Sequence, residues 1–144
     1  MVVTIRDIVE RNFAAVEAKD VDAVLRLFAD DAVFIDPHYP TPRMVGKAAI
    51  AEGLRWSFTG MKTFGFTIVN FFPSEDGQSA AVEMATHHAL KGGMKLDFPQ
   101  AFFMETRDSL ITRLQAYEPY GPGGIGGLVL KLTRLKRKVS RKGA

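Results

Sequence analysis

Residues 12–37 read NFAAVEAKDVDAVLRLFADDAVFIDP, and the changes of period inside them set the architecture. The stretch continues a helix that opens upstream at Thr4. Asp7, three residues on, resembles a capping box with Asp in place of the usual Glu or Gln. Ile5, Ile8, Val9, Phe13 and Val16 then fall at helical spacing. Asn12 shares that apolar stripe, so its amide must find a partner or line a cavity. A second helix is expected from Asp20, with Val21, Val24, Leu25 and Phe28 as its buried face and Ala29–Asp31 as its end. Ala32–Asp36 reads as a short strand stopped by Pro37. Two further prolines, Pro40 and Pro42, forbid a helix in the loop that follows.

Residues 42–54, PRMVGKAAIAEGL, lead past Gly46 into a third helix. Ile50, Leu54 and Phe58 lie on one side of it, and Ala49, Gly53 and Trp56 on another. Beyond it the period changes. Residues 63–72 (TFGFTIVNFF), 79–90 (SAAVEMATHHAL), 94–105 (MKLDFPQAFFME) and 109–118 (SLITRLQAYE) are strand-like, with turn signals between them. Three helices followed by a meander of long strands predict an α+β domain over residues 1–120, its helices packed on one face of an antiparallel sheet. Residues 121–127, GPGGIGG, read as a linker. Ile125, Leu128, Val129, Leu132, Leu135 and Val139 then keep helical spacing among basic residues, which predicts an amphipathic basic helix over 128–144.

Composition bounds the chemistry. The chain has 144 residues, 47% hydrophobic and 24% charged, enough for one domain that buries roughly two-thirds of its unfolded surface. It contains no Cys, which excludes disulfides, thiolate metal sites and cysteine nucleophiles. No apolar run reaches the ~18–20 residues of a membrane span, and the charged N-terminus does not read as a secretory signal. A soluble, cytoplasmic protein is the expectation. The net charge of +3 comes from the tail, because residues 119–144 carry seven basic residues and no acid. The remainder is net acidic, so nucleic-acid binding by the domain is not expected. Glycine-rich phosphate loops and the GxSxG and HExxH motifs are missing from the sequence.

The 12–37 stretch, its ADDAxxxDP segment and the PxxG that follows are similar to the opening of the nuclear transport factor 2-like superfamily. The nearest branch is that of the ketosteroid isomerases and SnoaL-like polyketide cyclases. The resemblance covers residues 4–120. It implies a cone-shaped barrel, in which a curved sheet wrapped against the three helices closes over an apolar pocket, and a homodimer as the common assembly.

Asp36 is the sharpest candidate. It ends an apolar strand and precedes a proline that has no N–H to offer it. Desolvation there would make it a stronger base towards a C–H acid, and an Asx-turn cap is the competing role. The resemblance puts Asp36 at the proton-shuttling position of the isomerases. A base also needs a partner for the enolate. The known isomerase solution is a Tyr and a protonated Asp; at the matching positions this chain has Asn12 and Gln100, amides that donate hydrogen bonds but are less acidic. Strict steroid isomerase activity is therefore not what the residues favour.

Further candidates surround these. His38, after Asp-Pro, could relay protons or sit in a solvated loop. His87 and His88 are adjacent on a strand and must face opposite ways; the resemblance puts His88 inside with Met84 and Thr86. Gln100 would be a lone polar group on a wall of Phe98, Phe102 and Met104, which marks a ligand-orienting residue or a buried hydrogen bond. Trp56 could form a pocket wall or simply pack. Either Tyr117 or Glu118 faces the pocket; the apolar phase of Leu114 and Ala116 leans towards Glu118. No metal site or cofactor is expected, since His38 and Asp36 make only a partial shell.

The leading expectation is a cofactor-free acid/base enzyme, an isomerase or cyclase acting on a small hydrophobic carbonyl compound of steroid, terpenoid or polyketide type. Asp36 would be catalytic, with Asn12, His38, Trp56, His88, Gln100 and Glu118 around the substrate. A non-enzymatic ligand-binding or dimerisation module is one alternative. Epoxide hydrolysis, which requires a second pocket carboxylate, is another. For the basic tail three partners stand open: an anionic membrane surface, its own domain or dimer, and an acidic partner or RNA, though it lacks interleaved aromatics for stacking.

Overall fold

The computed structural model describes residues 2–118 and 124–143. Helix α1 (Ile5–Glu17) starts where its cap dictates: Asp7 N–H donates to Thr4 Oγ1 (3.2 Å) and Thr4 N–H to Asp7 Oδ2 (2.8 Å). This reciprocal bonding satisfies two otherwise orphaned donors. Its stripe buries Ile5, Ile8, Val9 and Phe13, and Asn12 goes in with them. Lys19, with φ 54°, turns the chain into α2 (Val21–Arg26), where Ala23 N–H donates to the Asp20 carboxylate at 2.9 Å. Helix α2 stops earlier than its apolar spacing predicts. Phe28 is not its last buried residue but the first residue of strand β1 (Phe28–Ile35). Tertiary pairing overrides local propensity there: Phe28 lies opposite Ile111, and Ile111 N–H donates to Leu27 O at 2.8 Å. A register irregularity between Phe28 and Val33 lets Asp30 and Asp31 face solvent inside the strand.

Two short strands go beyond the expected plan. They are β2 (Arg43–Val45), before helix α3 (Lys47–Gly60), and β3 (Met61–Thr63), after it. Four strands follow: β4 (Phe66–Pro73), β5 (Ser79–Leu90), β6 (Lys95–Arg107) and β7 (Leu110–Tyr117). The sheet has seven strands in the order β2-β1-β7-β6-β5-β3, with β4 also paired to β5. The meander β4 to β7 is antiparallel as expected, but β1 runs parallel to β7, so the sheet is mixed. Nor does it close into a barrel; it curves and stays open, and the helices cover the open side.

Alternation along the strands decides what faces inwards. On β5 Ala80, Val82, Met84, Thr86 and His88 are buried, while His87 is exposed. On β6 the inward set includes Gln100, Phe102 and Met104, and on β7 Leu114 and Ala116. With Val9, Phe13, Val24, Phe28, Ile50 and Leu54 from the helices and β1, the apolar members of these sets form one core. Each large apolar side chain buried in it contributes roughly 1.5–3 kcal/mol. Helix α4 (Gly124–Lys142) begins inside the stretch read as a linker, so its first turn takes in residues 124–127; residues 121–123 of that stretch lie outside the described residues. Among the described residues, no helix is long and apolar enough to cross a membrane.

Candidate active site

Between the helices and the inner face of the sheet lies a cavity of about 640 Å³, a volume suited to a small organic ligand. Its wall is mainly aromatic and aliphatic. Asn12, Asp36, His38, Trp56, His88, Gln100 and Glu118 all line it, so every candidate from the sequence meets at one place. The strand order explains why the polar ones fall in a row. Asp36 follows the end of β1, which is paired to β7; Glu118 follows the end of β7, which is paired to β6; Gln100 is on β6, and Thr86 and His88 on β5. Ala101 lies opposite Tyr117, so continuing that register sets Gln100 beside Glu118 on the inner face.

Asp36 is only 8% exposed. It lines the cavity and also closes a turn. His38 N–H donates to Asp36 Oδ1 at 2.9 Å and Tyr39 N–H to Asp36 O at 3.1 Å, an Asx-type turn that fixes the side chain. That turn uses Oδ1 and leaves the carboxylate's other oxygen uncommitted to it. Burial pushes the Asp36 pKa up, against the opposing pull of the His38 N–H, the His38 ring and a hydrogen bond from Glu118.

Glu118 faces inwards as well, and Tyr117 outwards, where its ring meets Phe103 at 5.3 Å. Burial raises the Glu118 pKa to about 8, helped by the negative charge of Asp36 and the hydrogen bond shared with it. Two carboxyl groups this close cannot both ionise cheaply. Glu118, with its pKa raised to about 8, keeps its proton at neutral pH and shares a hydrogen bond with Asp36. The His38 ring, more than half exposed, sets Nδ1 against Glu118 Oε2 and 3.9 Å from Asp36 Oδ1. It thus links the pair to solvent.

His88 is buried, in edge-on contact with Phe64 and Phe66 at ring distances of 5.0 Å each and Phe98 at 6.0 Å. Burial is the first cause that lowers its pKa to about 4, and neighbouring His87 adds to it, so the imidazole is neutral at pH 7. Gly65 N–H donates to His88 Nδ1 at 3.3 Å. An accepting Nδ1 leaves the ring hydrogen on Nε2, which makes Nε2–H a donor. Gln100 Nε2 donates to Thr86 Oγ1 at 2.6 Å, while Gln100 Oε1 and Asn12 Oδ1 are buried with no partner among the described residues. Unsatisfied buried amide oxygens call for a ligand or water.

Sequence reasoning passed over Tyr39 as a site residue. Its ring packs edge-on to Phe34 (5.3 Å) and against Trp56 (5.8 Å), and its hydroxyl bonds to Ser57. Burial pushes its pKa well up, so it stays neutral. A signal was available in Gly53: a Cβ there would strike Met44 Sδ and approach Tyr39 Cδ2 at 3.0 Å, and a glycine inside a helix often marks such a close approach. Trp56 is a wall residue at the rim, 53% exposed. Asp36, His38 and Glu118 also form a group whose possible ligand atoms lie within 4.8 Å of one another. Glu118 thus extends the partial shell read from the sequence, and these three residues could hold a divalent ion.

Comparison with known proteins accords with this construction. A family profile for the SnoaL-like domain matches residues 9–114, and the chain belongs to that family. A protein of ketosteroid isomerase-like fold from Catenulispora acidiphila, solved with trimethylamine, is 24% identical. It aligns over 80% of this chain and 87% of its own with a TM-score of 0.70. The Δ5-3-ketosteroid isomerase of a Mycobacterium species is 23% identical over 80% and 93% of the two chains, with a TM-score of 0.72. RV0760c of Mycobacterium tuberculosis, solved with estradiol-17β-hemisuccinate, is 21% identical over 80% and 94%, with a TM-score of 0.71. At such identities the likeness speaks to the fold alone. No curated protein matches the sequence.

Proposed function

We propose that the protein is an acid/base enzyme acting on a small hydrophobic carbonyl compound, an isomerase or cyclase of steroid, terpenoid or polyketide type. The observation that carries this reading is a pair of adjacent carboxyl groups, Asp36 and Glu118, set in the wall of an apolar cavity. A cavity of this size lowers stability relative to a filled core, so a ligand accounts for it better than packing does.

In the proposed reaction Asp36 removes a proton alpha to the carbonyl, and the C–H electron pair moves onto the carbonyl oxygen. The enolate oxygen is held by neutral donors of the wall, His88 Nε2–H and the Asn12 or Gln100 amide. For isomerisation Asp36 returns the proton at a conjugated carbon. For cyclisation the enolate carbon attacks a second carbonyl, Glu118 gives its proton to the new alkoxide, and the proton held by Asp36 passes across their shared hydrogen bond to Glu118, which restores both groups. The step as written needs no cofactor. Binding of RV0760c to an estradiol ester supports a lipophilic ring compound as the ligand class.

The test is deuterium uptake from D2O into a panel of cyclic β,γ-unsaturated ketones and poly-β-ketones. Exchange is expected from the parent protein. Asp36→Asn should lower it by about 10²–10⁴-fold with ligand binding retained. Binding without exchange by the parent would point to a carrier. Activity lost to a chelator and restored by a divalent ion would move the reading to a metal held by Asp36, His38 and Glu118.

Epoxide hydrolysis is a second reading, favoured by the two carboxyl groups set close together at the cavity. Asp36 would take a proton from water as its oxygen attacks an epoxide carbon. The C–O bond breaks, and Glu118 protonates the released oxygen. Incorporation of 18O from water into a diol would select it.

We also propose a homodimer joined through the outer face of the sheet. The register lines up Phe72, Ala81, Phe103 and Gln115 across four strands there, and Phe72, Phe103 and Tyr117 are exposed.

A further inference from the structure

Helix α4 carries an apolar stripe that the described residues leave uncovered. Leu128, Leu132, Leu135 and Val139 follow one another at spacings of four, three and four, so they share one face, and each is more than half exposed. Lys131, Lys136 and Lys138 flank the stripe and Lys142 ends it; Arg134, Arg137 and Arg141 cover the rest, and residues 124–143 contain no acid.

The charge pattern chooses between the surfaces that could cover this stripe. The same spacing would suit a two-stranded coiled coil with a second copy. In that register Leu132 and Val139 take the a positions and Leu128 and Leu135 the d positions. Lys131, Lys136 and Lys138 then fall at the e and g positions that face the partner helix. Parallel pairing sets Lys against Lys, antiparallel pairing does the same, and the helix has no Glu or Asp to answer either. A nucleic acid would neutralise the charge but leave the leucines in water, and the helix has no aromatic residue for base stacking. An anionic bilayer surface meets both needs: the leucines and valine enter the headgroup boundary, and the flanking lysines lay their stems along it with the ammonium groups among lipid phosphates.

We propose that α4 is an interfacial helix that binds the protein to anionic lipid surfaces. This does not depend on what the cavity does.

The test is flotation of the full-length chain with vesicles of phosphatidylcholine alone and with about one-third phosphatidylglycerol, near 0.1 M salt. Binding should be at least about tenfold tighter on the anionic vesicles and weaken as salt rises. The double variant Leu132→Glu/Leu135→Glu should lose it, as should Lys131→Glu/Lys138→Glu, with the melting temperature of the domain unchanged in both. Three results would overturn the proposal. Equal binding to the two vesicle types would remove the charge component. Undiminished binding by the leucine variant would make the helix a plain polycation. Absence of vesicle binding, with a fall in oligomer mass in the leucine variant, would assign the stripe to a second copy.

Discussion

Asp36 is held between opposing influences. Burial raises its proton affinity, and the His38 N–H, the His38 ring and Glu118 lower it. The net shift of Asp36 is upward, and Glu118, with a pKa near 8, is the acid of the pair. Turnover that uses both groups rises as Asp36 ionises and falls as Glu118 loses its proton around pH 8. In Glu118→Gln the alkaline fall should vanish, which a pH–rate profile would show. Stability follows the same proton. A folded-state pKa raised from 4.5 to about 8 means that the native state binds the proton more tightly than the unfolded chain. The contribution is complete below pH 4.5 and is lost as pH rises through 8. Glu118→Gln, which cannot ionise, should therefore gain melting temperature relative to the parent between pH 5 and pH 8.5. A constant gap across that range would contradict the shared proton.

Single elements show where sequence reasoning succeeds and where it stops. The α1 cap and the inward phase of β6 were legible because each depends on local sequence; strand alternation set His87 and His88 on opposite faces, and the family resemblance chose His88 as the inward one. The start of β1 was not, because Phe28 joins the strand through its pairing with Ile111, a residue far along the chain. The parallel β1–β7 pair escaped for the same reason, and with it the nearness of Glu118 to Asp36. The sequence could lean Glu118 inwards but could not bring the two carboxyls together. Helix α3 offers a test at this scale. In Gly53→Ala the new methyl must displace Met44 or Tyr39. Overpacking of about 1–3 kcal/mol exceeds the ~1 kcal/mol gained in helix propensity. Denaturant titration should show a net loss, and a gain would mean that Met44 and Tyr39 pack loosely enough against α3 to admit the methyl.

At the scale of the whole molecule, the open sheet and the helices divide the labour. The inner face makes the cavity, the outer face presents the apolar row proposed as a dimer contact, and α4 is a separate amphipathic surface. Phe72→Lys/Phe103→Lys should convert a dimer into a monomer by sedimentation without emptying the cavity of ligand; an unchanged mass would remove the outer-face contact. Beneath these features lies one electrostatic claim, that two carboxyls in the cavity wall hold a single proton at neutral pH. A 13C NMR titration of the side-chain carboxyls tests it most directly. Glu118 is expected to titrate near pH 8 and Asp36 above its ordinary 3.8, with Glu118 falling towards 4.5 in Asp36→Asn. Independent titration of both groups at their ordinary values in the parent protein would contradict the account.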